Sequence, residues 1–305
     1  MSLMKTKLFF ILLLAIGCAP QAVAQDLLSK LSQEQITPEF NTQATFKATR
    51  ISIGHSVETR KRGVLEISAM NRFWNDPDQS KRSFLADKLN TRIGVEYGVS
   101  DRLTIGAGYG TGYRSWDVFA KYRLFFQRDS GKKFPFSITL FQNGVHRNKE
   151  TFLFLPNQSF EDELAFSTQL LIARKITSNF SLQVAPSYIY RAEDGFLESE
   201  STSRFAIGFG GRYKIGKHVS VVSEYYYVPN PFSFVKTYGA FSVGANWEIA
   251  DVMLQFKLTN ARNFVEDKFI VKTANNFNFK DGNLHFGFHA TYVIHFFKRK
   301  IRNEQ

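Results

Sequence analysis

One cysteine, Cys18, stands among the 305 residues. It falls in an N-terminal stretch expected to be removed, so the mature chain is predicted to have no disulfide, thiol nucleophile or cysteine-held metal. Long hydrophobic runs are missing too. Beyond Ile16 nothing approaches the roughly 20 apolar residues that a membrane-spanning helix needs, although 44% of the residues are hydrophobic. Acidic residues are the minority, 27 against 39 basic ones, for a formal charge of +12. A basic chain invites polyanionic partners, yet export and the lack of a basic-aromatic binding module argue against nucleic acid.

What the chain does have begins with an export signal. Lys5 and Lys7 form a short basic region, Leu8 to Ile16 an apolar stretch, and Ala22-Val23-Ala24 a small-x-small cleavage site. Cleavage after Ala24 would remove two lysines and lower the charge of +12 to +10. A rival reading takes Leu14-Ala15-Ile16-Gly17-Cys18 as a loose lipoprotein box with Cys18 acylated.

In the mature chain the recurring signal is alternation. Trp116, Val118, Ala120, Tyr122, Leu124 and Phe126 fall opposite Asp117, Lys121, Arg123 and Gln127. Phe205, Ile207, Phe209 and Tyr213 likewise oppose Arg204, Gly208, Gly210 and Arg212. A period of two means strands with unlike faces. Several segments, such as 116–127, 164–175 and 284–297, reach the roughly 9–11 residues of a membrane strand rather than the about 5–6 of a soluble one. Aromatics gather near strand ends, at Tyr97, Tyr109, Tyr188, Tyr190, Tyr225, Tyr226, Tyr227 and Phe296, where an interfacial girdle would sit.

The connections give an independent test. Strands are predicted near 63–73, 90–98, 102–110, 116–127, 134–144, 163–175, 180–191, 203–214, 218–228, 238–248, 252–260 and 284–297. Their links alternate between short and generally longer, as periplasmic turns and external loops do. The fold class is therefore all-β, a single antiparallel transmembrane β-barrel of about 12 strands, with 10 to 14 admissible. The domain plan is a signal peptide at 1–24, an N-terminal periplasmic or plug segment at 25–62, the β-barrel at 63–297 and a basic tail at 298–305. Within 25–62, residues 26–35 suit a short amphipathic helix and 45–53 an extended stretch; a fourteen-strand variant would take two short strands from this region.

Several stretches resemble a known family. They include Thr45–Arg50 with Gly54–Glu58, Tyr97–Thr104, Lys121–Leu124, Val145–Asn148, Gly210–Lys214, Glu224–Tyr227 and Asp281–Phe288. The chain is similar along most of its mature length to a Bacteroidetes family of uncharacterised outer-membrane β-barrel proteins, a domain of unknown function. The resemblance implies fold and location and carries no catalytic residues.

Candidate chemistry is sparse. Glycines 106, 108, 110 and 112 alternate inside a strand instead of closing one before a helix, so a phosphate-cradling loop is not expected. His285, His289 and His295 share one face of the last strand but stand far apart along it, and no zinc-type pairing occurs among the six histidines. His146 with Glu150 or Asp162 in a long loop is the nearest approach to a hydrolase site. The most informative set is the charged face predicted to line the lumen: Glu66, Arg92, Glu96, Lys121, Arg123, Arg204, Arg212, Glu224 and Lys257. It reads either as an anion-preferring pore lining or as an ion-pair network filling a closed barrel. At about twelve strands the width does not decide between them.

The expected function is passive transport or a structural surface scaffold without catalysis. A membrane-embedded lipid hydrolase or acyltransferase is the alternative, and a soluble periplasmic ligand-binding barrel a further one. No cofactor or metal is expected. Outer-membrane lipid and lipopolysaccharide, and a small anionic solute, are the anticipated partners of a monomer.

Overall fold

The computed structural model describes residues 44–74, 86–112, 114–128, 133–147, 159–192, 201–233, 235–278 and 284–296. The predicted signal peptide at 1–24, residues 25–43, Glu150 and the predicted basic tail at 298–305 lie outside them. Packing divides the chain into two units: residues 1–41 with 128–133, of which only Arg128 and Lys133 are described, and residues 42–127 with 134–305. The barrel belongs to the second.

Twelve strands make one closed antiparallel barrel: β1 Val64–Trp74, β2 Lys88–Gly98, β3 Leu103–Gly110, β4 Ser115–Phe125, β5 Ser137–Arg147, β6 Leu164–Lys175, β7 Phe180–Arg191, β8 Ser203–Lys214, β9 Val219–Tyr227, β10 Phe241–Ile249, β11 Val252–Thr259 and β12 His285–His295. Each strand pairs with its sequence neighbours, and β12 returns to β1 in register from Val64 opposite His295 to Phe73 opposite Phe286. Closure removes both sheet edges, which is what a lipid environment demands of a sheet. The predicted strand number is thus found. The fourteen-strand variant is not: residues 45–53 are bent, with one isolated bridge between Arg50 and His55.

The alternation read from sequence sets the two faces. Outward residues such as Ile93, Trp116, Val118, Phe205, Phe209, Phe286 and Tyr292 are exposed, forming an apolar belt that lipid, not water, suits. Inward residues are buried, and many are polar or charged. In β4 the phase slips at a bulge between Arg123 and Phe125, which turns Phe125 outward although its parity with Arg123 would place it inward. Tyr226 departs from its expected place in the aromatic girdle. Parity turns it inward between the outward Tyr225 and Tyr227, and it is 1% exposed. The absent side chain of Gly208 on β8 makes room for its ring, since a Cβ there would lie 2.5 Å from it.

Candidate functional site: an occupied lumen

All nine charged residues predicted to line the lumen are buried on the inward face. Most are bound to chain segments that fold into the barrel. Glu66 pairs with Arg60 and accepts the Thr49 hydroxyl at 3.1 Å. Lys121 Nζ donates to the carbonyls of Thr49 at 3.1 Å and Glu58 at 2.5 Å, and Arg123 donates to the Glu58 carboxylate at 3.0 Å. Lys257 donates to the carbonyl of Ser52. Arg204 lies 3.6 Å over the Phe232 ring, and Arg212 Nε donates to Ser220 Oγ at 3.1 Å. Arg92 instead pairs with the wall, forking onto Asp117 at 2.8 and 2.5 Å. The neighbouring glycine gives it space: a Cβ on Gly108 would fall inside the Arg92 guanidinium. Glu96 has no hydrogen bond at its buried Oε2.

Residues 45–60 account for most of this bonding, and the reason is backbone chemistry. A buried segment without a sheet partner must satisfy its N–H and C=O groups some other way. Here inward side chains of the wall do it. One oxygen of Glu224 accepts three consecutive N–H groups, from Ser52 at 2.8 Å, Ile53 at 2.5 Å and Gly54 at 3.1 Å. Such a run of amides is a concave nest for an anion. Gln183 accepts from Val57 N at 2.7 Å and donates to His55 O at 2.8 Å, mimicking a strand partner. Thr139 donates to Val57 O at 2.6 Å, and Gln255 to Ile51 O at 3.1 Å. The side chains Phe46, Ile51 and Val57 pack into a buried apolar cluster with Phe119, Phe141, Leu171 and Val222 from the wall.

A second segment folds in between β11 and β12. Its short helix, Glu266–Phe269, is fully buried. Asp267 pairs with Arg147 and, at 2.6 Å, with Arg191. Phe269, Ile270 and Val271 join Ile189, Ala206, Tyr226 and Phe232 in another apolar cluster, which also takes Ile53. The two segments meet at Glu266. Its carboxylate lies 3.6 Å from Arg50 and 3.7 Å from the His55 ring and accepts from Asn143 at 2.8 Å. Burial raises the Glu266 pKa above the usual carboxylate range, with Arg50 opposing. Burial, reinforced by Arg50 and Lys121, holds His55 well below the ordinary imidazole value, so it is neutral near pH 7. Its ring is packed 4.7 Å from Phe119 and 4.3 Å from Phe141.

The remaining predicted sites are placed as follows. His146 lies on β5 rather than in a loop, because the strand begins three residues later than expected and runs to Arg147. It faces Glu163 at 2.9 Å and stacks on Phe160, while Asp162 instead accepts from the backbone and hydroxyl of Ser159. His285 and His289 are buried inward, and His295 is exposed near Asp251. Among the described residues no group of three metal-binding side chains converges. The described space between Arg92, Arg147, Phe264 and Lys268 is a cavity of about 10 Å³, no more than a water's worth. Sequence reasoning missed Arg50, His55, Arg147, Arg191, Glu266 and Asp267, all in or against the infolded segments.

A model of a membrane bound beta barrel domain, DUF5777, matches residues 46–294. The chain belongs to this family of membrane-bound β-barrels. The match begins inside the infolded segment, so residues 46–62 are part of the family's domain together with the wall. No curated protein matches the chain. Among solved structures it is similar to a KdgM porin (9% identity, covering 76% of this chain and 99% of that one, TM-score 0.46). It is also similar to a NanC porin (10%, 75% and 98%, TM-score 0.43) and to the COG4313 outer membrane channel from Pseudomonas putida F1 (12%, 78% and 98%, TM-score 0.45).

Proposed function

We propose that this chain is an outer-membrane conduit for passive, non-catalytic transport, held closed by residues 44–58. The observation that carries the reading is the way the wall's inward charges are used. Width alone does not decide whether a barrel of about twelve strands is filled by its own side chains, but here Glu66, Lys121, Arg123, Glu224 and Lys257 reach the infolded N-terminal segment instead of the opposite wall. Withdrawal of that segment would leave a lumen lined by charge, with cations in excess among these five, suited to a small anionic solute.

The same reading includes export by residues 1–24 with cleavage after Ala24, a Bacteroidetes-type barrel, and lipopolysaccharide around a monomer. It contains no catalytic step. The two apolar clusters inside the barrel favour a second reading, a permanently closed surface scaffold.

Single-channel recording in planar bilayers separates the two. The full chain should be mostly closed, and a variant lacking residues 44–58 should conduct with a preference for anions. If that variant folds, as heat-modifiable gel migration reports, and still does not conduct, the conduit is refuted and the scaffold stands.

A further inference from the structure

We infer that the lumen wall is a receptor for a polypeptide main chain, and that residues 44–58 occupy it as a ligand carried in cis. The inference rests on the conduit reading only in taking the segment to be removable.

What the wall recognises is mostly main-chain N–H and C=O. Glu224 grips the N–H groups of Ser52, Ile53 and Gly54, and Thr104 that of Arg60. Gln183 takes both the N–H of Val57 and the carbonyl of His55. Lys121, Thr139, Gln255 and Lys257 donate to carbonyls of Thr49, Glu58, Val57, Arg50, Ile51 and Ser52. Side chains within the same stretch are held in two ways: Phe46, Ile51, Ile53 and Val57 pack into apolar clusters, while Thr49, Ser52 and Glu58 meet Glu66, Ser242 and Arg123. Main-chain bonding with apolar pockets is how proteins hold peptides generally: backbone contacts give affinity and pockets give specificity.

One position is read more narrowly. A Cβ on Gly54 would collide with the Tyr226 hydroxyl, so the turn of the ligand must carry glycine there. The chemistry defines the class: a bent peptide that turns at a Ser-Ile-Gly-like step, with apolar residues before and after. A segment of this chain satisfies it in cis, and a free peptide of the same pattern satisfies it in trans.

The test uses the folded full chain with a protease site placed at Lys61–Arg62, which are exposed at the rim. After cleavage in detergent, a labelled synthetic peptide of residues 44–61 is added in excess and bound label is measured by fluorescence anisotropy. Saturable exchange is expected, with at least a ten-fold loss of affinity for a Gly54→Val peptide and none of it for a scrambled peptide. A barrel carrying Glu224→Gln should bind the native peptide at least about ten-fold more weakly, since it loses a charged acceptor for three donors. Equal binding of native, Gly54→Val and scrambled peptides overturns the inference. So does a cleaved fragment that leaves while the folded barrel takes up no labelled peptide. Binding without conductance would sink the conduit and leave the receptor; conductance without binding would do the reverse.

Discussion

Replacing Glu224 with alanine should release the N-terminal segment from the lumen. One carboxylate oxygen accepts three main-chain N–H groups, and the adjoining Lys257 donates to the carbonyl between them. A hydrogen bond to a charged group contributes about 1.5–3 kcal/mol net. Three sharing one oxygen do not add fully, so about 3–5 kcal/mol is a reasonable loss, with orphaned N–H groups and an uncompensated Lys257 pushing in the same direction. That corresponds to roughly 10²–10⁴ in the ratio of seated to released segment. Limited trypsin digestion reads it directly. Arg50 is buried at the tip of the segment and should resist cleavage in the wild type, whereas Glu224→Ala should be cut there while its heat-modifiable migration stays intact. A folded Glu224→Ala barrel in which Arg50 is as protected as in the wild type would refute the account of how the segment is held.

Three further outcomes follow from the same geometry. Ser52 and Ser242 face each other with hydroxyls 2.7 Å apart, so Ser52→Cys with Ser242→Cys should form a disulfide that abolishes conductance until a reductant is added; a cross-linked barrel that conducts equally would contradict the conduit. Asp117→Ala should destabilise the barrel by about 3–5 kcal/mol by stranding Arg92, and Asp117→Ala with Arg92→Met should recover most of it in urea unfolding; no recovery would show that the fork is not the cause. His55 is held below its ordinary pKa, so seating is unaffected above pH about 6.5 and weakens by up to about 1.4 kcal/mol per unit as pH falls towards the depressed value. Glu266, raised by burial, acts in the opposite sense, so the histidine is isolated by difference: acidification should expose Arg50 to protease more in the wild type than in His55→Gln, and identical pH profiles would remove His55 from the mechanism.

The wall was legible in the sequence because its two environments alternate residue by residue. Lipid on one side and lumen on the other impose a period of two, and Trp116 to Gln127 or Phe205 to Tyr213 display it without help from neighbours. The infolded segments were not legible. Residues 45–58 have no period, since many of their backbone groups are satisfied by side chains scattered over several strands, and such pairings are as remote in sequence as Gln255 and Ile51. Lumen charges were identifiable by parity, but their partners were not, because Thr49, Ser52 and Glu58 belong to a stretch that looks like ordinary polar linker. Tyr226 shows the limit of composition: three adjacent tyrosines read as a girdle, while parity gives the middle one to the interior.

The seam between β1 and β12 carries a consequence for assembly. Of the two segments that fill the lumen, residues 44–60 precede β1 directly, so they are synthesised before any of the wall and stay tethered to its first strand. β12 comes last and closes against that strand. An empty cylinder closed first would hold Glu224, Lys121 and Lys257 without the amides and carbonyls that they bind. The cylinder is better formed by wrapping, with its own leading segment as the mandrel and the β1–β12 seam as the final stitch.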